Sequence, residues 1–131
     1  MTSSADVLQR FRASCLAFPE TSERSSWGHP NFRAGKKTFA VYERVKGRPS
    51  LAFRLDREEV DRLLRRKIFF LTPYGRGLWV SVWADAPLDW KIIGGLLQRS
   101  YRTVALKRMI AKLDVGQKPG KFDRFRAGSV E

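Results

Sequence analysis

The chain has 131 residues, 43% of them hydrophobic, with nine Phe, four Trp and three Tyr, so it has the length and apolar content of one folded domain and is not a disordered tail. Its 26 Lys and Arg against 13 Asp and Glu give a net charge of +13, an excess that favours polyanionic partners and says nothing about fold. One Cys and one His exclude an internal disulfide and a multi-His or Cys zinc site, and no segment reaches the roughly 20 apolar residues of a membrane span.

Ser3 and Asp6 stand at capping-box spacing, and Val7, Phe11, Cys15 and Phe18 recur on one face, which predicts a helix over residues 3–18 that Pro19 stops. From residue 27 to residue 55 the period is two. Residues 31–34 read as a short strand, Gly35-Lys36-Lys37 as a turn, and TFAVYERV as a strand. Its alternation sets Phe39, Val41 and Val45 on one side and Thr38, Ala40, Tyr42 and Arg44 on the other. After the KGRP reversal, SLAFRL places Leu51, Phe53 and Leu55 opposite Ser50, Ala52 and Arg54. Asp56 and Glu59 have the cap-to-third-position relation of a second helix, carrying Val60, Leu63 and Leu64 and ending in Arg65-Arg66-Lys67.

IFFLTPY and LWVSVWA read as strands around Gly75-Arg76-Gly77, with Arg76 at an exposed tip. A last helical stretch runs from about residue 88 to residue 113. Its stripe of Ile93, Leu97, Tyr101 and Val104 gives way to Leu106, Met109, Ile110 and Leu113 on another side, which predicts a bend or a change of packing partner. The domain is expected over residues 1–114, with 115–131 a basic tail containing Gly and Pro that docks through Phe122 and Phe125. The order of elements gives an α+β fold with a mostly antiparallel sheet and helices on one face.

Enzymatic constellations are nearly absent: there is no Walker-type or G-x-G-x-x-G loop, and most carboxylates flank helices as caps. A Cys15–His29 nucleophile pair is disfavoured because Cys15 falls on an apolar helix face. The reading is of a protein without enzymatic activity, cofactor or metal, located in the cytoplasm. His29, between Gly28 and Pro30 and beside Trp27, is expected to fix a turn through a backbone carbonyl, with an aromatic anchor beside it; a small-molecule pocket around His29 stays open as a further class.

Positive charge gathers in two stretches. Arg33, Lys36, Lys37, Arg44, Lys46 and Arg48 face the single acid Glu43, and Lys91, Arg99, Arg102, Lys107, Arg108 and Lys112 have no acid among them. With the aliphatic set against the helices, the other sheet face is expected to present Tyr42, Arg44, Arg54, Trp79 and Trp83 among small residues, a surface on which bases can stack. Loop tips at Lys36, Lys46 and Arg76 supply phosphate contacts. Nucleic acid is therefore the expected partner, with no membrane contact; the alternative is a protein-interaction or homodimer surface built on Trp79 and Trp83.

The segments LAFPETSERSSWGHPNFRAGKKTFAVY, SLAFRLDREEVDRLL, TPYGRGLWVSVW and RSYRTVALK resemble the MmcQ/YjbR family of small bacterial proteins over about residues 5–113. The matching positions are Trp27, Gly28, His29, Pro30, Phe32, Lys37, Phe39, Ser100 and Tyr101, of which Trp27, Gly28, His29, Pro30, Phe32, Ser100 and Tyr101 are expected to be structural. The resemblance implies a sandwich similar to the frataxin/CyaY group and a DNA-binding label, with DNA ahead of RNA. A frataxin-like iron role would need an acidic first helix, whereas Asp6 here is opposed by Arg10 and Arg12.

Overall fold

Residues 4–117 are described by a computed structural model. In chain order they form α1 (Ser4–Leu16), β1 (Thr21–Ser26), β2 (His29–Ala34), β3 (Lys37–Val45), β4 (Arg48–Arg54), α2 (Arg57–Leu63), β5 (Phe69–Leu71), β6 (Trp79–Trp83), α3 (Trp90–Val104) and α4 (Lys107–Gln117). The strands make one antiparallel sheet in the order β1-β2-β3-β4-β6-β5. Val7 and Phe11 of α1, Val60 of α2, Leu97 and Tyr101 of α3 and Met109 of α4 share one core with Phe32, Leu51, Phe53, Val80 and Val82 of the sheet. All four described helices thus cover one face, as expected.

Aromatic edges lock this layer. Phe11 meets Phe32 and Phe53 edge-on at 5.6 and 6.0 Å, while Tyr101 stacks on Phe18 at 4.8 Å and meets Phe39 edge-on. The Tyr101 hydroxyl donates to the Pro19 carbonyl at 2.7 Å, tying α3 to the connection between α1 and β1. Phe32, Ser100 and Tyr101 are fully buried. The Ser100 Oγ has no partner among the described residues. Asp56 caps α2 by accepting from the Glu59 amide, as its spacing predicts.

Three features depart from expectation. β1 was not anticipated, because TSERSS holds no apolar residue; it is an edge strand held by its ladder with β2. The bend expected where the apolar stripe changes side is a full break: Ala105 takes extended backbone (ψ 151°), so the single stretch is two helices, the second reaching Gln117. Most consequential is β3. Phe32 pairs with Ala40 but Arg33 pairs with Thr38, so Phe39 is an extra residue in a β-bulge, and Phe39 and Ala40 both point into the core. The alternation therefore slips by one after Phe39. Ser3, Phe122 and Phe125 lie outside the described residues, so the first cap and the docking of the tail lie outside them as well. No helix among the described residues is long and apolar enough to cross a membrane.

Candidate functional site

The slip in β3 decides what the open face of the sheet carries. Tyr42 pairs with Leu51 and packs against the core, and Arg44, two residues on, shares that side, so neither joins the open face as expected. Val41, which pairs with Ala52, and Glu43, which pairs with Ser50, take their place. Ser50, Ala52, Arg54, Trp79, Ser81 and Trp83 do share the open face through the β4–β6 register.

Part of that face is already covered by the chain itself. Trp83 stacks on Phe70 at 4.2 Å and lies under the Arg48 guanidinium at 4.0 Å, while Arg48 also grips Asp85 with two bonds of 2.9 Å. Arg48 holds the Asp85 carboxyl below the ordinary range by that hydrogen bond. The β5–β6 loop folds back over Trp79, so closely that a side chain at Gly75 would collide with the indole. Thr72 and Ser81 join hydroxyls at 2.7 Å beneath it, both buried. A flat stacking platform of Tyr42, Trp79 and Trp83 is thus replaced by something narrower.

What remains open is a cleft of about 430 Å³ lined by Ser26, Trp27, His29, Asn31, Thr38, Val41, Glu43, Tyr74 and Trp79. Val41 and Glu43 of β3 form its floor. The β1–β2 hairpin supplies one wall and the β5–β6 loop the other. Since Asn31 pairs with Val41, His29 stands level with Glu43 on the neighbouring strand. Tyr74 donates its hydroxyl to Glu43 Oε2 at 2.7 Å, spanning from the loop to β3. Burial pushes the Glu43 carboxyl above its ordinary value, partly offset by the Tyr74 bond and by His29, and burial together with Glu43 pushes the Tyr74 phenol up. Glu43 Oε1 has no hydrogen-bond partner among the described residues.

Trp27 does not anchor its turn. It occupies the first corner of a two-residue hairpin with φ 55°, followed by Gly28 at φ 80°, and its side chain is 95% exposed at the rim of the cleft. Nor does the imidazole fix the turn among the described residues: the Asn31 side chain donates to the His29 carbonyl instead, at 3.1 Å. Cys15 is fully buried on the helix side, its thiol pushed up by burial, so the sheet separates it from His29.

The cations divide by layer. Arg99 pairs with Glu59, Arg102 with Asp114, and Arg108 and Lys112 with Glu20, so much of the helical concentration is neutralised and lies across the sheet from the cleft. Arg99 and Arg102 therefore do not join the face on which they were expected to act. Lys36, Lys37, Arg44, Lys46, Arg54 and Arg76 have no carboxylate partner among the described residues. Strand directions put Lys36, Lys37, Arg54 and Arg76 at one end of the sheet, and Trp27 and Lys46 at the other. Arg33 is half-buried on the open face, with its Nε buried and without a partner among the described residues. Among the described residues no group of three or more His, Cys, Asp or Glu is placed to hold a metal.

Glu43 and Tyr74 are the site residues that sequence reasoning missed. Glu43 did carry a signal, as the single acid within six cations of a strand region.

A family model described as YjbR matches residues 16–103. Protein DR2400 from Deinococcus radiodurans, a DUF419 domain, is similar in structure with a TM-score of 0.64 and 20% identity over 95% of each chain. A Pseudomonas syringae protein is similar in its crystal structure (TM-score 0.62, 18% identity, 72% of this chain and 96% of that one) and in its solution structure (0.60, 17%, 76% and 93%). At these identities the likeness shows the fold alone. No curated protein matches the chain.

Proposed function

The chain belongs to the YjbR family, and we propose that it is a cytoplasmic, non-enzymatic protein that binds nucleic acid along the open face of its sheet. The observation that carries this reading is the frame of that face: cations without a carboxylate partner among the described residues at both ends, Lys36, Lys37, Arg54 and Arg76 at one and Lys46 at the other, with Trp27 exposed in the hairpin turn at the rim of the cleft. Cations not engaged by carboxylates are the ones free to replace counterions on phosphates, and an exposed indole offers a stacking surface. DNA rather than RNA follows the label that the family resemblance carries. The single buried cysteine suits a reducing compartment.

Fluorescence anisotropy with random single-stranded and duplex DNA at two salt concentrations tests the reading. Binding that weakens steeply with salt is expected, with a log–log slope of about 0.9 per phosphate neutralised on duplex and about 0.7 on single strands. Absence of binding at low salt would overturn it. A flat salt response would favour the alternative, an apolar homodimer through Trp79 and Trp83, for which the covering of Trp83 by Phe70 and Arg48 leaves little surface.

A further inference from the structure

We propose that the cleft between the β1–β2 hairpin and the β5–β6 loop takes a single unstacked guanine base, read on its Watson–Crick edge by the Glu43 carboxylate and held between the aromatic rings of Trp27, Tyr74 and Trp79. The proposal rests on the nucleic-acid reading for its choice of a base over other planar rings, and on the cleft alone for which base.

Two indole rings and one phenol ring line one recess whose floor holds a buried carboxylate, one oxygen of which has no hydrogen-bond partner among the described residues. An ionised carboxylate only accepts hydrogen bonds. It therefore selects ligands by their donors. Guanine alone among the bases presents two adjacent donors, N1–H and N2–H₂, on its Watson–Crick edge, matching the two oxygens of Glu43. Oε2 accepts from Tyr74 and keeps a further lone pair for a second donor. Thymine offers one donor between two acceptors, and cytosine and adenine offer one donor beside an acceptor, which would meet the carboxylate lone pair to lone pair. His29, Asn31 and Thr38 line the same cleft and can serve the acceptors O6 and N7. Bases in single strands are commonly read in this way, stacked on aromatic rings and bonded on their edges.

An organic cation would also suit aromatic walls above an acid. Two facts disfavour it: the chain's net charge of +13, and the cations Lys36, Lys37, Lys46 and Arg76 that frame the open face and repel it on approach.

Guanosine, which carries no phosphate, tests the cleft apart from the basic frame. Titrated into the full ¹⁵N-labelled chain, it is expected to give saturable shifts of the Trp27 and Trp79 indole N–H signals, assigned with Trp27→Phe and Trp79→Phe. Thymidine and cytidine should bind about tenfold more weakly or worse. Glu43→Gln, checked for an unchanged amide spectrum, should abolish the preference. Equal responses to guanosine and thymidine, no response to any nucleoside, or saturation by tetramethylammonium in place of guanosine each overturn the proposal. Those failures leave salt-dependent DNA binding standing. Conversely, guanosine shifts without DNA binding at low salt would sink the polyanion reading while keeping the cleft.

Discussion

Glu43 is held where burial penalises its charge. Its pKa in the fold lies above its unfolded value, so at a pH above both the native state carries the cost of a buried carboxylate. Below the unfolded value both states are protonated and the cost is gone. Glu43→Gln keeps an acceptor for Tyr74 and removes that cost. The variant should melt at a higher temperature than wild type near pH 7.5, and the gap should close as pH falls toward the ordinary carboxylate range. Thermal melts at several pH values check this; a gap that widens in acid would contradict it. Trp27 poses the same question with the backbone. A bulky residue at φ 55° costs stability, and a ring 95% exposed returns none of it through packing. Trp27→Gly relieves the left-handed corner and should stabilise the fold by about 0.5–1 kcal/mol. The same change should weaken single-stranded DNA by about 1–3 kcal/mol, the value of one lost stack. Opposite signs in the melt and the titration are the expected result.

At the scale of elements, the β5–β6 loop decides whether a cleft exists. Gly75 sits at φ 86° directly against the Trp79 indole, Arg57 donates to the Arg76 carbonyl at 2.9 Å, and Tyr74 reaches from this loop to β3. Gly75→Ala adds a methyl group where the ring already lies and strains the backbone as well. It should cost about 1–3 kcal/mol and release Tyr74 from Glu43, so guanosine shifts are lost while the core amide signals persist. Most elements were legible in the sequence because their periods are clean: SLAFRL and LWVSVWA alternate without interruption, and Asp56 with Glu59 marks α2 by cap chemistry. The cleft was not legible, for a single physical reason. A bulge costs one residue of register and leaves no compositional trace, so Phe39 and Ala40 read as opposite faces when both enter the core. From that point the sequence places Tyr42 outside and Glu43 inside, the reverse of what the fold does. β1 escaped notice on other grounds, since an edge strand of Ser, Thr, Glu and Arg shows no buried face to betray it.

For the molecule as a whole, net charge is a poor guide to where a polyanion binds, because carboxylates are distributed unevenly over the cations. Glu20 alone engages Arg108 and Lys112, whose hydrogen bonds hold its carboxyl below the ordinary range, and Glu59 and Asp114 engage Arg99 and Arg102. The two basic stretches look equivalent in sequence. In the fold, four of the six cations of one stretch lie on the helix layer and share three carboxylates, whereas the other stretch ends in hairpin tips whose lysines have no carboxylate partner among the described residues. A phosphate approaching Arg99, Arg102, Arg108 or Lys112 competes with a carboxylate already in place, although exposed pairs of this kind are each worth only about 0–1 kcal/mol. Two double variants separate the layers. Lys36→Ala with Lys37→Ala should weaken DNA binding clearly and reduce the salt slope by up to about 2. Arg99→Ala with Arg102→Ala removes the same formal charge that two neutralised lysines would, yet it should change affinity less than about threefold at physiological salt, where fields across the sheet are screened within about 8 Å. Anisotropy titrations of both variants beside wild type decide the matter, and equal losses would mean that DNA responds to total charge rather than to the open face.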